Sequence, residues 1–149
     1  MRWVTRRNAN VDRVACPWLI RRFVDPEAEF VFVDRDTDPS TIHDGIPYDM
    51  AGVELGHVDG RCSFESIIVK HGLTGDPALM LLGRIVHGAD IPADLPSSPA
   101  EAHGLRAIAY GFAELHGDDD QAKIRLESPM YDALYAWCAR QAGGGAHGG

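Results

Sequence analysis

The sequence predicts an α+β fold: a small N-terminal β-sheet covered by four to five α-helices, with a helical C-terminal half. Three observations carry that reading. The strand signals, Trp3-Val4-Thr5 and Glu29-Phe30-Val31-Phe32-Val33, are aromatic or β-branched and fall in the first quarter of the chain. Helix-start signals dominate afterwards, at Ser63, Asp76-Pro77 and Ser97-Ser98-Pro99. With 149 residues, 45% hydrophobic and 24% charged, the chain has the size and composition of one domain with its own core. The expected division is a single domain over residues 1–142 and a flexible Gly-rich tail over residues 143–149, with no internal repeat.

The elements follow in order. Trp3-Val4-Thr5 is a short strand that ends at the Asn8-Ala9-Asn10 turn. Pro17 is placed in the first turn of a helix, where a missing N–H is tolerated, so Asp12 and Cys16 fall at or just before its start. Trp18, Leu19 and Phe23 form its buried face. Glu29–Val33 is the clearest strand, residues 34–45 hold one helical turn near Ser40–His43, and Ile46–Met50 is a weak edge strand containing Pro47. Ser63 caps a helix over Phe64–His71 that Gly72 stops. Asp76-Pro77 opens the next, through Leu79, Leu82, Ile85 and Val86 to Gly88. A further helix runs from Ala100 to about His116. The last, capped by Asp118-Asp119-Asp120, reaches about Ala142 with a kink or break at Pro129.

Charge and cysteine usage exclude several classes. The net charge is −8, yet residues 1–24 carry six arginines against Asp12, a local balance of +5. The acidic total and the lack of a basic recognition helix argue against nucleic acid, while the basic end suits a small anionic substrate. No run approaches the ~18 apolar residues of a membrane span, and Arg6-Arg7 is followed by no apolar signal segment, so a cytoplasmic protein with no membrane association is expected. Cys16, Cys62 and Cys138 lack C-x-x-C spacing and are expected as reduced thiols. Three tryptophans and an apolar last helix leave room for a homodimer.

Ligand chemistry is densest from Val53 to Glu65. Glu54 and His57, three apart, can converge on a metal, and nitrogen and oxygen donors of this kind suit Fe, Mn or Zn. Glu65 fits two roles, a third ligand or a carboxylate facing the dipole of the following helix. His87 and Asp90 make a second small cluster just past a helix end, Asp90 on a loop that can present it and His87 also suited to the helix C-terminus. Asp12, Arg13 and Cys16 surround a helix start that favours anions. Cys16 there would have a lowered thiol pKa, and Arg7, Arg13 and Arg22 would hold a tetrahedral oxyanion; the plain alternative is a buried Cys16 beside a surface Asp12–Arg13 pair. Tyr131, Leu134, Tyr135 and Cys138 form one helical stripe and read as core, with Asp132 the exception.

Several stretches together resemble the ChrB-type chromate resistance protein family, in its C-terminal domain. They are Trp3-Val4-Thr5-Arg6, the run from Val11 to Phe23 with Asp25-Pro26-Glu27-Ala28-Glu29 after it, Val53-Glu54-Leu55-Gly56-His57, Cys62-Ser63-Phe64, Gly88-Ala89-Asp90, and the run from Tyr131 to Cys138. The resemblance implies a place beside chromate transporters. Larger members join this domain to an N-terminal regulatory or rhodanese-like part that has no counterpart in these 149 residues. Free-standing relatives are linked to chromate tolerance and to superoxide-dismutase-like, iron-dependent activity. His87 stands where relatives frequently carry Arg.

The sequence thus leads to a metal-dependent protein, with His57, Glu54, Glu65, Asp90 and His87 as candidate ligands for a divalent metal, Fe or Mn before Zn. Asp12, Arg13 and Cys16 are the candidate catalytic residues, and Arg7, Arg13 and Arg22 the candidate oxyanion-binding residues. The expected activity is on an oxyanion or a reactive oxygen species. The alternative is a non-catalytic module that senses or buffers chromate or a metal, since no nucleophile–base pair can be read from the chain.

Overall fold

The computed structural model describes residues 1–144. Strand β1 (Arg2–Arg6) is the centre of a three-stranded parallel sheet. It pairs along its whole length with β2 (Glu29–Val33), from Arg2↔Glu29 to Arg6↔Val33, and with the two-residue β3 (Ile46–Pro47) at Trp3↔Ile46 and Val4↔Pro47. Parallel neighbours need a crossover, and helix α1 (Val11–Phe23) supplies the first. Pro47, which has no N–H to give a ladder, sits on the edge strand as expected. Five α-helices complete the described residues: α1, α2 (Ser63–Lys70), α3 (Pro77–Asp90), α4 (Glu101–His116) and α5 (Asp120–Gly144), with short 3-10 turns at Pro39–Thr41 and Pro92–Ser97. The α+β class and the helical C-terminal half are as the sequence predicts.

The edge strand is shorter than the expected Ile46–Met50, and the bounds of α1, α3 and α5 differ from the sequence reading for physical reasons. Helix α1 begins at Val11, so Pro17 is interior and brings no N–H to the carbonyl four residues back. What carries the helix through it is an unbroken apolar face: Val11, Val14, Ala15, Trp18 and Leu19, at i, i+3, i+4, i+7 and i+8, are all buried. Helix α3 runs past Gly88 to Asp90. Gly88 is there for close approach, since a Cβ would lie 2.4 Å from Cβ of Ser98 and 2.9 Å from Cβ of Ala102. Helix α5 continues through Pro129 to Gly144, so two of the residues expected in a flexible tail are helical and the remainder of that tail lies outside the described residues.

The core lies where α1, α2, α3 and α5 meet. Trp18 stacks on Phe64 at 6.4 Å with ring planes 7° apart, and Tyr131 and Tyr135 of α5 close in at 6.1 and 5.7 Å. Ile67, Leu79, Leu82 and Ile85 are fully buried around them. Burying side chains of this size stabilises the fold by about 1.5–3 kcal/mol each before entropy is counted. The Tyr131 and Cys138 stripe is core, while Leu134 and Tyr135 are half-buried at its margin. Asp132, the exception in that run, accepts from Trp18 Nε1 and from Arg22, both at 2.8 Å. Among the described residues no helix is long and apolar enough to cross a membrane.

Candidate functional site

One imidazole nitrogen faces three carboxylates brought from three parts of the chain. His57 Nε2 lies 3.2 Å from Asp90 Oδ2, 3.4 Å from Asp12 Oδ2 and 3.6 Å from Asp49 Oδ1. The candidate ligand atoms of Asp12, Asp49 and His57 all fall within 4.8 Å of one another. Asp12 is 1% exposed and forms the floor, while the His57 side chain, 49% exposed, forms the lid on the solvent side.

Each side chain is fixed locally. Asp12, in the first turn of α1, accepts the backbone N–H groups of Ser63 at 2.8 Å and Phe64 at 2.9 Å, so it satisfies the first amides of α2. Asp49 follows β3 at φ +48°, a left-handed conformation that Asp tolerates better than most residues. It accepts from Ser63 Oγ at 2.6 Å and forms an ion pair with Arg13, whose Nε lies 2.8 Å from Oδ2. Asp90 is the last residue of α3. His57 rides on the loop between β3 and α2, where Gly56 packs against the Met50 carbonyl at a distance that a Cβ would reduce to 2.8 Å.

Burial and mutual repulsion set the protonation of the cluster, with the His57 imidazole and Arg13 as its positive partners. Burial, then repulsion from Asp12, pushes the Asp49 carboxyl up to about 8 despite Ser63 and Arg13. Burial also raises Asp90, which His57 pulls back. Hydrogen bonding to Asp12 and Asp90 pushes the His57 imidazole up to about 10. Beside this cluster opens a cleft of about 310 Å³ lined by Arg6, Arg13, Asp49, Met50, Ala51, Gly52 and His57. Arg6 Nε is buried there with no hydrogen-bond partner among the described residues.

A second cluster holds the remaining imidazole candidate. His87 lies inside α3 rather than past its end; its Nδ1 is 2.5 Å from Glu65 Oε1 and its Nε2 is 2.7 Å from Asp94 Oδ2. Glu65 also accepts the backbone N–H of Cys62 at 3.0 Å while the Cys62 side chain accepts from the Glu65 amide, a reciprocal cap of α2. The helix therefore starts one residue earlier than expected, with Cys62 as its cap and the Ser63 hydroxyl given to Asp49.

The sequence candidates thus divide. His57 and Asp90 meet, Glu65 and His87 meet elsewhere, and Asp12 and Arg13, assigned to catalysis, belong to the His57 cluster. Glu54 joins neither group: 70% exposed, it pairs with Lys70 at 2.9 Å, because the chain turns between Val53 and His57 instead of forming a helix that would align them. The helix-start reading of Cys16 fails with the earlier start of α1. The thiol is fully buried one turn inside the helix, 3.5 Å from Asp12, and burial followed by that charge raises its pKa well above the ordinary value. The arginines do not converge either. Arg7 pairs with Asp34 at 3.1 Å, and Arg22 pairs with Asp132 and lies 4.7 Å over the Tyr135 ring, leaving Arg13 with Arg6 at the cleft.

Asp49, Arg6 and Asp94 were not singled out from the sequence. Asp49 lies two residues past a strand whose register only the fold sets, although an Asp on the loop that ends a strand is a signal that could have raised it.

A small parallel sheet under a helical layer, carrying an imidazole ringed by buried carboxylates beside an arginine-lined cleft, defines an α+β domain built around an acid–histidine centre. The profile of the family described as ChrB, C-terminal domain, matches residues 3–138, and the chain belongs to that family. It is 37% identical over 133 residues to Protein ChrB of Cupriavidus metallidurans, an alignment that covers 89% of this chain and 39% of that protein. The chain thus spans well under half the length of that curated relative. No solved structure matches.

Proposed function

We propose that this domain is metal-dependent and acts on a small anion, in the chromate-resistance setting that its family suggests, with His57, Asp12, Asp49 and Asp90 holding a divalent metal. The observation that supports it is the single imidazole nitrogen within 3.6 Å of three carboxylate oxygens. Carboxylates raised by burial and mutual repulsion gain from a cation between them. One nitrogen and several hard oxygens fit Fe, Mn or Zn. Bound there, such an ion would supply positive charge to polarise an anion and, if iron or manganese, a second oxidation state.

The chain's own residues account for the rest. Arg6 and Arg13 line the cleft and attract an anion such as chromate or superoxide toward His57. Asp49 holds Arg13 by its side chain at 2.8 Å and its carbonyl at 3.3 Å, so the guanidinium is fixed rather than mobile. The half-exposed His57 keeps the centre within reach of solvent.

The test is metal content by plasma mass spectrometry on untagged protein purified without chelators, beside His57→Ala and Asp90→Asn. Near-stoichiometric iron or manganese that falls at least tenfold in both variants supports the reading, and turnover of superoxide or chromate then follows. Full iron or manganese content in His57→Ala would sink it. A non-catalytic module is the second reading, favoured by the burial of all three thiols, which removes the only candidate nucleophile; it saturates with chromate at one equivalent and shows no turnover.

A further inference from the structure

We propose that Cys62, Glu65 and His87 form a second metal site, suited to zinc, with Asp94 orienting the imidazole and an open position facing solvent. The ligand atoms of the three residues lie within 4.8 Å of one another and offer sulfur, oxygen and nitrogen, a mixed set typical of zinc. None of them is shared with the His57 centre, so this inference stands or falls independently of it.

The arrangement around His87 carries the argument further than proximity. A metal-binding histidine characteristically gives its second ring N–H to a carboxylate, which fixes the tautomer and aims the free nitrogen. His87 has that partner in place: Asp94 Oδ2 lies 2.7 Å from Nε2, while Nδ1 is turned toward Glu65, on the side where Cys62 Sγ also lies. The segment carrying Asp94 is itself anchored, with Ser98 Oγ donating to the Asp94 carbonyl at 2.8 Å and Ser98 seated against Gly88, where any Cβ would collide. A cleft of about 240 Å³, lined by Glu65, Arg84, His87, Asp94, Ser97 and Ser98, opens on the cluster and leaves access for an exchangeable ligand.

Binding is an exchange of protons for metal. The Cys62 thiol loses its proton, the His87 ring gives up the one on Nδ1 and keeps the one on Nε2 for Asp94, and both protons pass to solvent. Glu65 Oε1 both caps the Cys62 amide and faces His87 Nδ1, so the carboxylate would ligate without giving up its place at the helix start.

Cobalt(II) distinguishes this centre from the other, because only this one contains a thiolate. The full chain, stripped of metal and titrated with cobalt(II), is expected to develop a thiolate-to-cobalt charge-transfer band that saturates at one equivalent. The band is lost in Cys62→Ser, persists in His57→Ala, and in Asp94→Asn requires about tenfold more cobalt. His87→Gln, which leaves the Cys62 cap intact, weakens cobalt binding more than tenfold and serves if Cys62→Ser fails to fold. Absence of a thiolate band in the folded wild-type protein, a band that survives Cys62→Ser, or unchanged cobalt affinity in His87→Gln overturns the proposal and leaves His87 as an imidazolium bridging two acids.

Discussion

The carboxylate of Asp12 on α1 accepts the backbone N–H of Ser63, 51 positions later, at 2.8 Å, and with its other oxygen that of Phe64 at 2.9 Å. One buried side chain therefore ties α1 to the start of α2 and also supplies the floor of the His57 centre. Asp12→Ala strands two amides and leaves a cavity, and each buried donor left unsatisfied costs about 1–3 kcal/mol. The expected loss is about 3 kcal/mol in urea denaturation, with Asp12→Asn, which keeps one acceptor, losing roughly half of it. A loss below about 1 kcal/mol in Asp12→Ala would show that α2 does not depend on this contact. His57 is the cleaner position for probing the centre itself, because Asp90 also accepts from the backbone of Asp12.

Arg6 and Arg13 line one cleft but differ in what they hold. Arg13 is engaged by Asp49, whereas Arg6 Nε has no hydrogen-bond partner among the described residues. Arg6→Gln is therefore expected to weaken chromate binding about tenfold, the effect of one charged hydrogen bond. Equilibrium dialysis at low and physiological salt measures it. Unchanged affinity would remove Arg6 from the anion site.

The fold was legible where local signals and burial agree. Glu29–Val33 is both β-prone and paired along its length, and Asp76-Pro77 caps α3 through Asp76 Oδ1 to the Leu79 amide at 3.1 Å. It was illegible where a local signal was outvoted. Pro17 and Gly88 each read as punctuation, yet the first is carried by a continuous buried face and the second is kept for contact with Ser98. The site followed the same rule. Sequence proximity grouped Glu54 with His57 and His87 with Asp90, but chain direction decides which side chains meet. A turn sends Glu54 to Lys70, and residues three apart on α3 deliver His87 and Asp90 to different centres.

Cys16 gives a direct check on one of these corrections. All three cysteines are buried, and burial raises the pKa of each, Cys138 to about 11. A thiolate is the reactive form, so the native metal-free protein is expected to react with a thiol-specific disulfide reagent at least a hundredfold more slowly than the unfolded chain, which releases three equivalents. Rapid labelling of one native thiol that Cys16→Ser abolishes would restore the helix-start reading of that residue.

Glu127 offers a pH signature of its own, outside the proposed ligands of either centre. It is 1% exposed on α5, Lys123 stands four residues before it, and burial pushes its carboxyl from an ordinary value near 4.5 up to about 7, with Lys123 drawing it back. Its Oε1, like the hydroxyl of Tyr131 four residues on, has no hydrogen-bond partner among the described residues. The folded form therefore holds a proton that the unfolded chain has already released between pH 4.5 and 7. Where the native state binds more protons, stability falls as pH rises, so this residue costs nothing below about pH 4.5 and its full penalty above about pH 7. That penalty is about 3 kcal/mol on the usual conversion for a group this buried. Glu127→Gln keeps the shape and cannot ionise. Its stability relative to wild type is expected to be near zero at pH 4 and to climb to about 3 kcal/mol by pH 8, read from urea midpoints across the range. Two curves that stay parallel would show that Glu127 ionises in the fold at its ordinary value, and that Lys123 offsets the whole cost of its burial.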